Sequence, residues 1–116
     1  MLVAFSVAPS GAPPDSPGAP EGSVSEAVAA AVRVVRESGL PNRTDAMFTT
    51  VEGDRDACMD VVRRAVEAVA PYGSRISLVL KADIRPGRFG ELHGKIDRVE
   101  ALLGVPGADA EGGVAR

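Results

Sequence analysis

Residues 46–53, AMFTTVEG, run directly into DRDACMDVVRRAVEAV, and this junction constrains the fold more than any other stretch. The first part is rich in β-branched and aromatic residues and has no proline. It breaks at Glu52-Gly53 and restarts at an acidic residue. The pattern predicts a strand, a tight turn and a helix capped by Asp54 or Asp56. Met47, Thr49 and Val51 would share one strand face, and Phe48, Thr50 and Glu52 the other. Two hydroxyls, a thioether and a carboxylate thus lie on or beside one strand, which makes it a candidate wall of a ligand site.

The flanking segments extend the pattern. Residues 2–8, LVAFSVA, form a short strand with apolar residues on both faces, as expected of a strand covered on both sides. Ser6 is its one polar side chain, either satisfied structurally or open to a ligand. Residues 9–22 are rich in proline and glycine, which excludes a helix or central strand and predicts a flexible loop. Ser23 and Glu26 then form a capping box, and Val24, Ala27, Val28, Ala31, Val32 and Val35 follow helical spacing. Gly39 is placed for a left-handed C-cap, with Leu40 as its apolar contact.

Residues 42–45 are expected to form a short edge strand turning into 46–53. In the following helix, Cys58, Val61, Val62, Ala65, Val66 and Val69 make the apolar stripe, so Cys58 reads as a small core residue rather than a nucleophile. Residues 75–85, RISLVLKADIR, alternate well, placing Lys81, Asp83 and Arg85 on one side. They form either a charge ladder on a solvated or subunit-facing surface or the polar end of a pocket. A last helix spans 91–103, with Leu92, Ile96, Val99, Leu102 and Leu103 on its apolar side. Residues 104–116 read as a frayed, disordered tail.

The order β-α-β-β-α-β-α predicts an α+β, ferredoxin-like βαββαβ sandwich with an extra C-terminal helix. Right-handed crossovers put both inner helices on one face of a four-stranded antiparallel sheet. The other face, bearing Leu2, Ala4 and Ala8, is then expected to pair with a second copy of the chain.

The totals narrow the function classes. With 116 residues the chain suits one domain, here 1–103. Its net charge of −3, 3% aromatic residues and lack of tryptophan argue against phosphate neutralisation and base stacking, hence against nucleic acid. A lone cysteine fits a reducing cytoplasm. No run reaches the ~18 apolar residues of a membrane span. Metal-ligand spacing, a nucleophile elbow and a phosphate loop are all missing, and His93 reads as an exposed polar residue near a helix start.

Four segments, FSVAP (5–9), MFTTVEG (47–53), KADIR (81–85) and GKIDRVE (94–100), resemble the small thiamine-binding protein family, single-domain relatives of YkoF-type proteins. They stand in the family's order. The family pattern usually reads Pro-Met-Gly-Thr, then two apolar residues and Glu-Gly. Here Ala46, Phe48 and Thr50 depart from it, and the 9–22 loop is longer. The resemblance implies a ferredoxin-like fold and homo-oligomers, dimers or tetramers, joined through sheet faces. It implies binding of thiamine or its hydroxymethylpyrimidine half, with neither catalysis nor a cofactor. On that basis Glu52 or Asp83 would meet the thiazolium charge, Ser6 and Thr49 the pyrimidine's polar edge, and Met47 and Phe48 its faces. Two other readings remain: a ligand-free structural or regulatory oligomerisation module, and a small enzyme on the same fold.

Overall fold

The computed structural model describes residues 1–15 and 24–104. Its elements are β1 (Leu2–Ser10), α1 (Val24–Glu37), β2 (Asn42–Thr44), β3 (Thr49–Glu52), α2 (Arg55–Val69), β4 (Arg75–Asp83) and α3 (Glu91–Leu103). A single 3-10 turn, Ala70–Tyr72, closes α2. The four strands form one antiparallel sheet in the order β2-β3-β1-β4. That is the expected ferredoxin-like topology, with α1 and α2 as the two crossovers. The capping box at Ser23, residues 16–22 of the expected loop and all of the 105–116 tail lie outside the described residues.

The core follows from strand alternation. Val3, Phe5 and Val7 of β1, with Val51 of β3, point to one face and are buried. Ala27, Ala31 and Val35 of α1 and Cys58, Val61, Val62, Ala65 and Val69 of α2 close over them. Most of these side chains are valine or alanine, so close helix–sheet approach, rather than bulk, fills the layer. Cys58 is fully buried, and burial pushes its thiol up from its ordinary pKa.

The local signals act largely as the sequence suggests. Asp54 caps α2, its carboxylate accepting from the Ala57 N–H at 2.8 Å. Gly39 takes φ +78°, the left-handed value that favours glycine, and Leu40 packs partly against the core.

β4 stops at Asp83, short of Arg85, and β2 at Thr44; two further boundary differences bear on the site. β1 continues through Pro9 to Ser10, pairing with β4 as far as Ser10↔Arg75. Proline is tolerated because β3 has already ended: the last β1–β3 pair is Phe5↔Thr49. The second correction concerns β3, which starts at Thr49 rather than at residue 46. The Asp45 carboxylate accepts from the Met47 and Phe48 N–H groups at 2.8 and 2.9 Å, and the Asp45 N–H donates to the Phe48 carbonyl at 3.0 Å. This Asx-type turn takes the main chain of residues 45–48 out of the ladder.

The last helix is the largest departure. Of its apolar side only Leu92 is buried, while Val99, Leu102 and Leu103 are 56%, 88% and 71% exposed. The first turn docks at the Glu52 end of the sheet, and the apolar side chains of the last two turns stand exposed.

Candidate functional site

β1 outruns β3 by five residues, and the gap this leaves is a cavity. On one side stands the β1 edge from Ser6 to Ala8, which on the side away from β4 has no partner strand among the described residues. Opposite it lies the 45–48 turn between β2 and β3, and α1 forms the roof. The cavity has a volume of about 230 Å3. Its apolar wall comes from Val24, Val28 and Val32, which sit beside the core-facing stripe of α1. The broad apolar stripe of this helix therefore serves two surfaces: Ala27, Ala31 and Val35 face the core, and the neighbouring valines face the cavity.

The polar wall is short. Thr44 and Thr49, cross-strand partners, place their hydroxyls 3.3 Å apart. Thr49 is buried and shares the helix-facing side of the sheet with its partner Phe5. Asp45 is exposed beside them. Hydrogen bonds from the Phe48 and Met47 N–H groups hold its carboxyl below the usual carboxylate range. Among the described lining residues Asp45 is the one ionisable group.

The six residues singled out from the sequence divide into two sets. Ser6, Met47, Phe48 and Thr49 all border this cavity. Ser6 does so from the strand edge, since alternation directs its side chain to the sheet face away from α1. Met47 and Phe48 lie on the turn and not on a strand face, and Met47 is 74% exposed. Glu52 and Asp83 lie elsewhere, around a crevice of about 10 Å3 with Met1, Leu2, Arg85, Arg88 and Glu91, at the opposite end of β3. The structure does not bring either carboxylate to the Thr49 cavity.

Glu52 has a structural task there. It is only 7% exposed, and its carboxylate accepts from the Glu91 N–H at 2.8 Å and the Leu92 N–H at 3.3 Å. It caps α3, not the helix that directly follows it. Glu91 in turn accepts from Arg98 at 2.6 Å and from Arg88 at 3.4 Å, and Asp83 pairs with Lys95. Sequence reasoning passed over Asp45, which read as the end of a short polar edge strand. The available signal was its position, an acid two and three residues before N–H groups that the chain must satisfy at a turn.

The pairs on α3 carry a pH prediction. The Arg98 guanidinium lowers the pKa of Glu91, and the Lys95 ammonium lowers that of Asp83. For an acid whose folded pKa is depressed, the stabilisation is present above the unfolded value, near 4, and is lost as pH falls through the lower folded one. Amide hydrogen exchange should therefore show α3 losing protection below about pH 4, before the β1–β4 ladder does. Simultaneous loss in both would mean these pairs do not hold the helix.

Fold and cavity together define a small ferredoxin-like α+β domain with a half-open pocket at one end of its sheet. Residues 3–100 match the thiamine-binding protein family, and the chain belongs to it. The UPF0045 protein Mb1933 of Mycobacterium bovis is 53% identical over 104 residues, covering 89% of this chain and 94% of that one. Among solved structures, a domain of unknown function, DUF77, from Bacillus cereus has a TM-score of 0.70 at 30% identity, over 84% of this chain and 86% of that one. A candidate thiamine biosynthesis/salvage protein from Thermotoga maritima has a TM-score of 0.67 over 84% and 96%; at 21% identity it supports the fold alone. No helix among the described residues is long and apolar enough to cross a membrane.

Proposed function

We propose that the protein binds thiamine or its hydroxymethylpyrimidine moiety in the Thr49 cavity, as a non-enzymatic homo-oligomer of the cytoplasm. Family membership over residues 3–100 carries the reading, and a pocket of suitable chemistry lies where two of the family-like segments meet. At about 230 Å3 the cavity is below the ~300 Å3 at which drug-sized sites begin. A single aromatic ring fits inside, and a second ring would extend through the open mouth. The Thr44 and Thr49 hydroxyls and the unpaired β1 edge offer both donors and acceptors to an aminopyrimidine. The valines of α1 supply its apolar contact.

Oligomerisation finds support in apolar surface that the described residues leave uncovered. Val79 on β4 is exposed on the sheet face opposite α1 and α2, and so is the α3 stripe of Val99, Leu102 and Leu103. Apolar patches of this kind mark interfaces. Light scattering should return a dimer or tetramer mass.

Calorimetric titration with thiamine, and separately with hydroxymethylpyrimidine, tests the ligand reading. Saturable binding near one site per chain is expected. Thr49→Val removes the buried hydroxyl with little change of shape. It should weaken the pyrimidine fragment about fivefold, the equivalent of one net hydrogen bond of about 1 kcal/mol. An unchanged affinity would take Thr49 out of the site.

A further inference from the structure

We infer that Asp45 is the specificity-determining residue of the cavity, and that it selects an organic cation, the thiazolium-bearing intact thiamine, over the neutral pyrimidine fragment. The inference rests on the pocket reading above and adds to it which group sets the ligand's charge.

Three observations converge on this residue. Asp45 is the one ionisable side chain among the described residues lining the cavity, so no neighbouring cation in the lining neutralises it. Arg43, the nearest basic residue in sequence, attracts the Asp45 carboxylate through space, but it pairs with Thr50 in the ladder and stands outside the lining. Secondly, both turn N–H groups bond to Oδ1, at 2.8 and 2.9 Å. The second oxygen, Oδ2, makes no hydrogen bond to the described residues, so the turn fixes the carboxylate's position and leaves one acceptor for a ligand. Thirdly, Asp45 is exposed while Thr49 is buried. A ring held at Thr49 would leave a second, linked ring at the mouth, beside the carboxylate. A fixed anion in an otherwise neutral pocket attracts a cation without paying to reorganise, and it gains nothing from a neutral ligand.

The two functions of Asp45 can be separated by substitution. In Asp45→Asn the side-chain carbonyl still accepts from Met47 and Phe48, so the turn persists and only the charge is lost. Asp45→Ala removes both. Calorimetry on the full chain, with thiamine and with hydroxymethylpyrimidine at two ionic strengths, reads the difference. In the native protein thiamine should bind more tightly than the fragment, and its affinity should fall with added salt. In Asp45→Asn the thiamine affinity should fall about tenfold and lose its salt dependence, while the fragment's affinity stays within twofold. Asp45→Ala, which also loosens the turn, should weaken both ligands. Equal affinity of native protein and Asp45→Asn for thiamine, or equal losses for both ligands in Asp45→Asn, would overturn the assignment and leave the pocket reading intact. Absence of heat for either ligand with the native protein would overturn the pocket reading itself, and this assignment with it.

Discussion

Glu52→Ala is expected to destabilise the protein by about 2–4 kcal/mol and to release α3 from the sheet. The carboxylate receives two main-chain N–H groups, from Glu91 and Leu92, at the start of the helix. Both bonds are buried, and both residues are themselves buried. Deleting the acceptor leaves two donors without partners, at about 1–3 kcal/mol each. The helix can recover part of that by lifting off and hydrating those groups, which is why the full sum is not expected. It also loses a negative charge at its positive dipole end. Glu52→Gln keeps one acceptor oxygen but turns an amide donor toward the second N–H, so it should cost less than alanine and more than nothing. Denaturant unfolding gives the stability, and hydrogen exchange over residues 91–96 locates it. Unaltered protection of those amides in Glu52→Ala would show that the helix is held by something other than this carboxylate.

The same residue shows where sequence reasoning reaches its limit. Glu52 stood out as a carboxylate beside a strand, but its partners lie 39 and 40 residues away. No local pattern encodes that separation; it follows only once β3 and β4 end at the same side of the sheet. The core, by contrast, was readable from periodicity. The α2 stripe and the alternation of β1 are short-range patterns, each set by the geometry of its own backbone. The β2–β3 turn falls between these cases. Its residues have strand propensity, and the preference of residues 46–48 for a strand lost to a side-chain acceptor at Asp45 that satisfies two N–H groups locally. Met47 and Phe48 consequently reach the cavity from a turn rather than from a strand face.

α1 offers a further case. Its apolar positions were legible, but their number exceeds what a core-facing stripe needs. Val24 and Val28 are more than 40% exposed in the structure because they face the cavity and not the core. An apolar arc that wide is a usable sign of a second apolar surface. α3 shows the same excess: a stripe of leucine and valine that stands exposed among the described residues.

Phe5→Ala is expected to have the largest effect on stability of any single truncation, about 3–5 kcal/mol. Phe5 is 2% exposed and is the one phenylalanine in the buried cluster, where the neighbouring side chains are valine, alanine and cysteine. Small, β-branched neighbours held on a sheet and two helices have few rotamers with which to refill the space, so the cavity term adds to the lost transfer energy. Against a typical domain stability of about 5–15 kcal/mol, the loss is a large share of the total. Phe5→Leu keeps most of the volume and should cost about 1–1.5 kcal/mol. Because Phe5 also borders the ligand cavity, its truncation should enlarge that cavity rather than create a sealed void. A small apolar molecule such as benzene should then raise the melting temperature of Phe5→Ala by more than that of the native protein. Urea unfolding with and without benzene reads both effects. A loss below about 1 kcal/mol would mean that the α1 valines close over the site, and the cavity would then be softer than its strand-and-helix walls suggest.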